Sequence, residues 1–266
     1  MVTLTSPSNP KIKQARLLAQ QRKARAASGL FVVEGIRHVG EALQAGAAVE
    51  FLCYAPQKLN SPFAQQLVDE QQQAGLPCYA VSEEVFQGLA DKENPQGLLA
   101  VVRQPQLGLQ DLHPETHPWL VALVAPQDPG NIGTILRTID AVGASGLLLL
   151  EDSADPYHPS AVRASMGALF WHPMVQVKSG FNDWARSQGY HLYGTSAHGS
   201  QDYRAAGRYQ FPCILLLGSE RQGLSPAQAA ACDALIRLPM RGRVTSLNLA
   251  VAAGVMLYAM LESVQE

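Results

Sequence analysis

Short apolar runs alternate with amphipathic stretches along the whole chain, and the two kinds of segment have the lengths of strands and helices. In the first half, the apolar runs predict strands at 30–33, 49–54, 78–81 and 97–102. Apolar positions at helical spacing predict helices at 9–28, 36–43, 63–73 and 82–89. Strands that alternate with helices indicate an α/β domain over 1–103.

The second half repeats this alternation after a segment, 104–118, that is rich in proline and poor in large apolar side chains. We interpret 104–118 as a linker and 119–266 as a second α/β domain. Its strands are predicted at 120–125, 146–150, 191–194, 213–217 and 235–238. Its helices are predicted at 131–142, 159–170, 226–231 and 247–261. Continuous apolar runs favour a mostly parallel sheet that is covered on both faces.

The composition is that of a folded protein with a large core, since 47% of the 266 residues are hydrophobic and 16% are charged. The longest nearly apolar stretch, 249–261, is shorter than the roughly 20 residues that cross a membrane. No signal peptide opens the chain, and the cysteines and histidines are scattered without metal-ligand spacing. We therefore expect a cytoplasmic protein with reduced cysteines, no membrane partner and no metal.

Positive charge is concentrated near the start of the chain, although the formal net charge is −2. The first predicted helix carries the basic residues Lys11, Lys13, Arg16, Arg22, Lys23 and Arg25, and the first 33 residues contain no Asp or Glu. A local cationic surface can contact RNA phosphates, because screening limits charge effects to about 10 Å. A solvated helix face is an equally good interpretation of this pattern by itself.

Several common cofactor motifs are absent from the sequence. There is no G-x-G-x-x-G after a strand, no G-K-[ST] phosphate loop and no H-E-x-x-H helix. These absences disfavour a nicotinamide enzyme, a nucleoside triphosphatase and a zinc hydrolase. A Rossmann-type methyltransferase would have a glycine-rich turn after its first strand, where this chain has D-P-G at 128–130.

Glycine-bearing loops follow three apolar, strand-like runs in the second half. The first loop reads D-P-G-N-I-G-T-I-L-R at 128–137. Asp128 can cap a helix, and Pro129 suits the first helical turn. An isolated loop of this kind is also what an ordinary helix start looks like, with Asn131 bonded to the backbone and Arg137 in a surface ion pair.

The other two loops read L-G-S-E-R-Q-G-L at 217–224 and L-P-M-R-G-R-V-T-S-L-N at 238–248. Glu220 precedes a predicted helix, whose positive N-terminal end favours a carboxylate. Ser246 can cap the final helix, and Asn248 would lie at the same helix N-terminus. Each of these loops alone would pass for an ordinary strand-to-helix turn.

In this order, the three loops closely resemble the three motifs of the SpoU (TrmH-like) family of RNA ribose 2′-O-methyltransferases, in the SPOUT class. The resemblance covers about 119 to the end of the chain. It implies a deep trefoil knot in the second domain, which periodicity does not predict. Segments 6–11, 31–35 and 95–97 resemble the substrate-binding domain of two-domain members, which is similar to ribosomal α/β proteins that bind RNA turns.

The resemblance also implies which residues form the site. The catalytic set is Arg137, Asn131, Glu220, Ser246 and Asn248. The residues implied to contact or neighbour S-adenosylmethionine are Leu217, Gly218, Glu220, Leu238, Met240, Ser246, Leu247 and Asn248. Because a guanidinium scarcely loses its proton, we expect Arg137 to fix a phosphate and to stabilise developing oxyanion charge. Arg241 and Arg243 could reach RNA phosphates or be solvated loop charges.

The implied activity is S-adenosylmethionine-dependent 2′-O-methylation of a ribose in RNA, by a homodimer whose active sites draw on both subunits. Ribosomal RNA is the preferred substrate, because the chain has an additional N-terminal domain and no basic extension after the last helix. The alternatives are a tRNA ribose methyltransferase and a catalytically silent RNA-binding protein of the same fold.

Overall fold

The computed structural model describes residues 3–90, 94–204 and 209–264. The chain forms two compact units. The first unit consists of Met1–Pro105 together with Tyr157–Phe170, and the second consists of Gln106–Pro156 together with Trp171–Glu266. The domain boundaries at 103 and 119 stay predictions.

The helices and strands alternate in both units. In chain order, the helices are α1 Pro10–Gln20, α2 Arg22–Ser28, α3 Ile36–Gln44, α4 Pro62–Gln73, α5 Glu83–Gln87, α6 Pro129–Val142, α7 Pro159–Ala164, α8 Ala168–Trp171, α9 Phe181–Ser187, α10 Pro226–Ala231 and α11 Leu249–Val264. The strands are β1 Leu30–Glu34, β2 Val49–Tyr54, β3 Cys78–Ala80, β4 Leu98–Arg103, β5 Trp119–Val124, β6 Gly146–Leu150, β7 Met174–Val177, β8 His191–Thr195, β9 Gln201–Asp202, β10 Cys213–Leu217 and β11 Ala234–Arg237.

The first unit contains a four-stranded sheet in the order β1-β4-β2-β3. Strand β4 is antiparallel to both β1 and β2, and β2 is parallel to β3. The sheet core packs against α1, which buries Ile12, Ala15 and Leu18 at helical spacing. Asn9 caps this helix by accepting a hydrogen bond from the backbone N–H of Lys11.

The helix predicted over 9–28 is two helices, which is a correction. The chain is extended at Gln21, with φ −122° and ψ 115°. Arg25 explains the break: its side chain is 2% exposed, and its Nη1 donates to the carbonyl oxygen of Leu18 at 2.6 Å and of Ala19 at 3.3 Å. Because Arg25 satisfies carbonyls at the end of α1, it is a capping group and not the exposed phosphate ligand that we predicted.

The helix predicted over 159–170 is also broken, into α7 and α8. The chain turns at Met166 and Gly167, whose φ angles are +54° and +107°. This segment packs on β1, where the Phe31 ring lies 4.8 Å from the ring of Tyr157 and 6.3 Å from that of Phe170. It therefore completes the core of the first unit, although it lies between β6 and β7 in the sequence.

The second unit contains a seven-stranded sheet in the order β7-β6-β5-β10-β8-β11-β9. Every pair of neighbouring strands in this sheet is parallel. Strands β5, β6 and β10 are buried along their whole length. These features confirm the predicted mostly parallel sheet. No helix in the described ranges is long and apolar enough to cross a membrane.

Candidate active site

The three sequence motifs follow three parallel strands of the second unit. The motif of 128–137, which forms the N-cap and the first part of α6, follows β5. The loop of 217–224 follows β10, and the loop of 238–248 follows β11. Strands β5 and β10 are neighbours, with Leu123 paired to Leu217. The first two loops therefore begin side by side at the carboxyl edge of the sheet, where ligands of α/β proteins commonly bind.

The first two loops meet at a carboxylate. Asn131 lies in the first turn of α6, where its residue is 7% exposed. Its Nδ2 donates to Oε1 of Glu220 at 2.6 Å. The other carboxylate oxygen, Oε2, accepts from the backbone N–H of Gln127 at 3.3 Å. Glu220 is thus held by two donors, one from the loop after β5 and one from the first turn of α6.

The third loop joins the same set through Asn248. Its Oδ1 accepts the backbone N–H of Ala250 at 2.9 Å and of Val251 at 3.3 Å, so Asn248 caps α11. Its Nδ2 donates to Oδ1 of Asn131 at 3.0 Å. Ser246, which we expected to cap this helix, lies before the cap, because α11 begins at Leu249.

The hydrogen bonds of these side chains can run in only one direction. The N–H groups at the start of α11 need an acceptor, so Asn248 presents its oxygen to them and its NH2 to Asn131. Asn131 then accepts with its own oxygen and donates to Glu220. Since an ionised carboxylate only accepts, it ends the series. We call Asn248, Asn131 and Glu220 the polar string.

A cavity of about 530 Å³ opens beside the polar string. Its lining includes Leu217, Gly218, Glu220, Leu238, Met240, Ser246 and Leu247 of the residues that we predicted to contact or neighbour the methyl donor. Asn248, the remaining member of that predicted set, does not line the cavity. Sequence reasoning missed the loop of 195–198, which also lines the cavity. That loop follows β8, the neighbour of β10, so a polar loop after a predicted strand was the available signal.

Glycines give the loop after β10 its shape. Ser219 and Gly223 exchange two backbone hydrogen bonds, of 3.0 and 2.9 Å, and Gly223 has a φ of +68°. A Cβ at Gly218 would lie 2.3 Å from the carbonyl carbon of Gly223. The loop can fold back on itself only if position 218 has no side chain.

Burial disfavours the thiolate form of the two cysteines in the second unit, Cys213 and Cys232. Burial raises the pKa of the Cys213 thiol far above its usual range, and it raises the pKa of Cys232 to about 11. The thiolate is the nucleophilic form of cysteine. In the described part of the chain, no group of His, Cys, Asp and Glu side chains could hold a metal ion either.

Residues 118–258 match the model of the SpoU rRNA methylase family, and this segment is more than half of the chain. The chain belongs to the SpoU rRNA methylase family. Residues 9–100 match a second model, the MRM3-like substrate-binding domain. The two matches correspond to the resemblance that the three motifs and the N-terminal segments indicate.

Relatives within the SpoU family match nearly the whole chain. The chain is 36% identical over 259 residues to the 23S rRNA (uridine(2479)-2′-O)-methyltransferase of Streptomyces viridochromogenes, covering 94% of this chain and 88% of the relative. It is 29% identical over 260 residues to the 23S rRNA (guanosine(2553)-2′-O)-methyltransferase RlmP of Bacillus subtilis, covering 97% of this chain and 98% of the relative. An AdoMet-bound rRNA methyltransferase of Sinorhizobium meliloti has a similar structure, with a TM-score of 0.89 and 36% identity. The match covers 98% of this chain and 97% of that protein.

Arg137, the catalytic arginine that the SpoU resemblance implies, does not line the cavity. It lies on α6 and is exposed. Its side chain makes no hydrogen bond or ion pair with any residue in the described ranges. The structure therefore brings Asn131, Glu220 and Asn248 together and leaves Arg137 facing solvent.

The basic residues predicted to contact RNA differ in exposure. Lys13, Arg22, Lys23, Arg241 and Arg243 are exposed, and Lys11 and Arg16 are half-buried. The ammonium group of Lys11 lies 4.8 Å from the ring centre of Phe51, a favourable cation–π distance. Their contact with RNA stays a prediction for all of these residues.

Proposed function

We propose that this protein transfers a methyl group from S-adenosylmethionine to the 2′-hydroxyl of a ribose in ribosomal RNA. One observation carries the proposal: the polar string joins all three SpoU motifs beside one cavity. The family relatives named above methylate riboses of 23S rRNA, one at a uridine and one at a guanosine. An rRNA substrate agrees with a cytoplasmic location.

The cavity fits the methyl donor in size and chemistry. Its volume of about 530 Å³ is within the roughly 300–1,000 Å³ of small-molecule sites. Leu217, Leu238 and Leu247 offer an apolar surface for a flat base, and Glu220 and Ser246 offer polar groups. When bound, the donor supplies an already electrophilic methyl carbon. The protein therefore has to hold the two substrates in line and assist one proton transfer.

The polar string suits the positioning task. Both oxygens of Glu220 and both ends of the Asn131 amide have partners, so these side chains are fixed before any substrate arrives. Such preorganisation lowers the cost of reaching the reactive geometry. Gly218 and Leu247 would hold the donor through backbone groups, and Glu220 would fix the wall of the cavity beside it.

Arg137 suits a different task, because its guanidinium is exposed and keeps its charge. A planar guanidinium binds phosphate with two parallel hydrogen bonds. We assign to Arg137 the binding of an RNA phosphate and the stabilisation of charge on the attacking oxygen.

Two observations on the second unit support a homodimer. Arg137 does not line the cavity of its own chain. In addition, α11 exposes an apolar stripe at helical spacing, with Val251, Val255 and Tyr258 exposed to 52%, 36% and 53%. A second copy would cover this stripe, and each active site would combine the cavity of one subunit with the arginine of its partner.

Mixing two inactive variants tests the shared site. We expect Arg137→Ala and Glu220→Ala each to be inactive alone, and mixtures refolded together to regain activity, because a mixed dimer retains one complete site. Analytical ultracentrifugation of the wild-type protein should show a dimer at micromolar concentration. A monomer, or mixtures that stay inactive, would contradict the shared site.

Methylation of defined RNA tests the activity itself. Purified protein and radiolabelled S-adenosylmethionine are incubated with ribosomal RNA and, separately, with tRNA, both from cells that lack the gene. We expect label in ribosomal RNA at one ribose, located by resistance of the next phosphodiester to alkali. Label only in tRNA would show that tRNA, and not ribosomal RNA, is the substrate. Donor binding without any transfer would indicate a silent RNA-binding protein.

A further inference from the structure

We propose that Gln127 is a positioning residue for methyl transfer and that it acts through Glu220. This inference rests on the proposed function, because it assigns a role within the same site. Gln127 lies just before Asp128, the N-cap of α6, and it is not part of the polar string. Its backbone and its side chain have separate partners, which lie on the ends of three neighbouring strands.

Two of these strand ends have an unusual backbone. Ala125 follows β5 with a φ of +44°, and Glu151 follows β6 with a φ of +59°. The two strands are paired, and Val124 lies opposite Leu150, so the turns are adjacent. Residues other than glycine adopt such angles rarely, and only where surrounding contacts hold them.

The carboxamide of Gln127 supplies contacts of that kind. Its Nε2 donates to the carbonyl oxygen of Ala125 at 2.8 Å, and its distance to the carbonyl oxygen of Asp152 is 3.5 Å. One carbonyl belongs to the turn after β5 and the other to the turn after β6. The side chain therefore fixes its own backbone relative to both turns.

The backbone of Gln127 transmits this position to the site. Its N–H donates to Oε2 of Glu220, and Asn131 holds the other carboxylate oxygen. Glu220 is in the loop that lines the cavity. If the turn at Gln127 moves, one of the two donors that fix the carboxylate moves with it, and the wall of the cavity becomes less ordered.

Donor binding to full-length variants tests this role. We expect Gln127→Ala to raise the Kd for S-adenosylmethionine about tenfold in calorimetry, because the backbone N–H of Gln127 is no longer held in place and its charge-assisted hydrogen bond to Glu220 weakens. Gln127→Glu keeps the length of the side chain but removes its donors, so it should weaken binding equally. The Kd for ribosomal RNA should not change. Gln110→Ala, an exposed glutamine of the same unit, is the control and should bind the donor normally.

A double-mutant cycle tests the route through Glu220. If Gln127 acts through this carboxylate, then Gln127→Ala combined with Glu220→Ala should bind the donor no more weakly than Glu220→Ala alone. Additive losses would overturn the inference, as would wild-type donor affinity in Gln127→Glu. A purely structural role would lower Tm and both affinities together. If the wild-type protein did not bind the donor, the proposed function would fail instead.

Discussion

Asn131 and Arg137 lie on the same helix, less than two turns apart, but their surroundings are opposite. Asn131 is buried, and both ends of its amide are bonded to other motifs. Arg137 is exposed, and its side chain has no hydrogen-bonding or ionic partner among the described residues. The first unit contains a similar pair, because Arg25 is buried and bonded whereas Lys23 is exposed. In both pairs the buried side chain is bonded within the fold, and the exposed one is the member that we propose binds RNA.

The largest effect should come from the exposed member of the first pair. We expect Arg137→Ala to lower the rate of methyl transfer by about 10²–10³-fold, because a charge that stabilises the transition state is lost. The free energy of unfolding and the Kd for the donor should not change. Single-turnover transfer, calorimetry and urea denaturation measure the three quantities. Arg137→Lys keeps the positive charge but lacks the planar guanidinium, so its rate of methyl transfer should lie between those of wild type and Arg137→Ala.

Substitution of the buried residue, Asn131, should lower stability and donor affinity, the two quantities that Arg137→Ala leaves unchanged. Asn131→Ala leaves the NH2 of Asn248 and one oxygen of Glu220 without their partner, so we expect the free energy of unfolding to fall by up to about 3 kcal/mol. Donor affinity should fall with it. Thr134→Ala, an exposed change on the same helix, is the control. Normal stability in Asn131→Ala would remove the distinction between the two residues of α6.

The pair in the first unit sharpens the comparison. We expect Arg25→Ala to lower the free energy of unfolding by roughly 1–2 kcal/mol, because two carbonyls at the end of α1 lose their donor. Lys23→Ala should leave stability unchanged. It should reduce the slope of the logarithm of the RNA-binding constant against the logarithm of salt concentration by about one. Denaturation and RNA titrations at several salt concentrations measure both. Equal salt slopes in wild type and Lys23→Ala would mean that Lys23 does not contact phosphate.

The last prediction concerns stability at alkaline pH. Burial raises the pKa of Cys78 in the first unit and of Cys232 in the second to about 11, from an ordinary value of 9.0. The folded state then binds more protons than the unfolded state between these values. This contribution to stability is present below about pH 9 and is lost as the pH rises toward about 11. Urea denaturation of wild type, Cys78→Ala and Cys232→Ala from pH 8 to pH 11 measures it; identical pH dependence would contradict it.

The bounds of an element could be predicted from the sequence where the pattern of apolar residues within that element defines it. The strands predicted at 49–54, 146–150 and 213–217 have the bounds observed, because each is a continuous apolar run between turns. The break at Gln21 could not be predicted, since no glycine or proline marks it and a tertiary contact of Arg25 stabilises it. Strand β7 and helix α9 were missed because both are short and weakly patterned.

The candidate site was predictable as a set of loops but not as a bonded arrangement. The motif residues could be named from their order along the chain. Their hydrogen bonds depend on the placement of β10 beside β5, which the sequence does not encode locally. The deep trefoil knot stays a prediction from the resemblance.

The first unit is discontinuous in the sequence, and this has a consequence for biosynthesis. Phe31 is 1% exposed and its ring contacts those of Tyr157 and Phe170, yet a ribosome makes β5 and β6 before it reaches that segment. During synthesis, the N-terminal sheet therefore lacks the cover that Tyr157 and Phe170 give to Phe31 until that segment has been translated. A gene fragment that encodes 1–105 alone would yield a chain with an open apolar face, prone to aggregate.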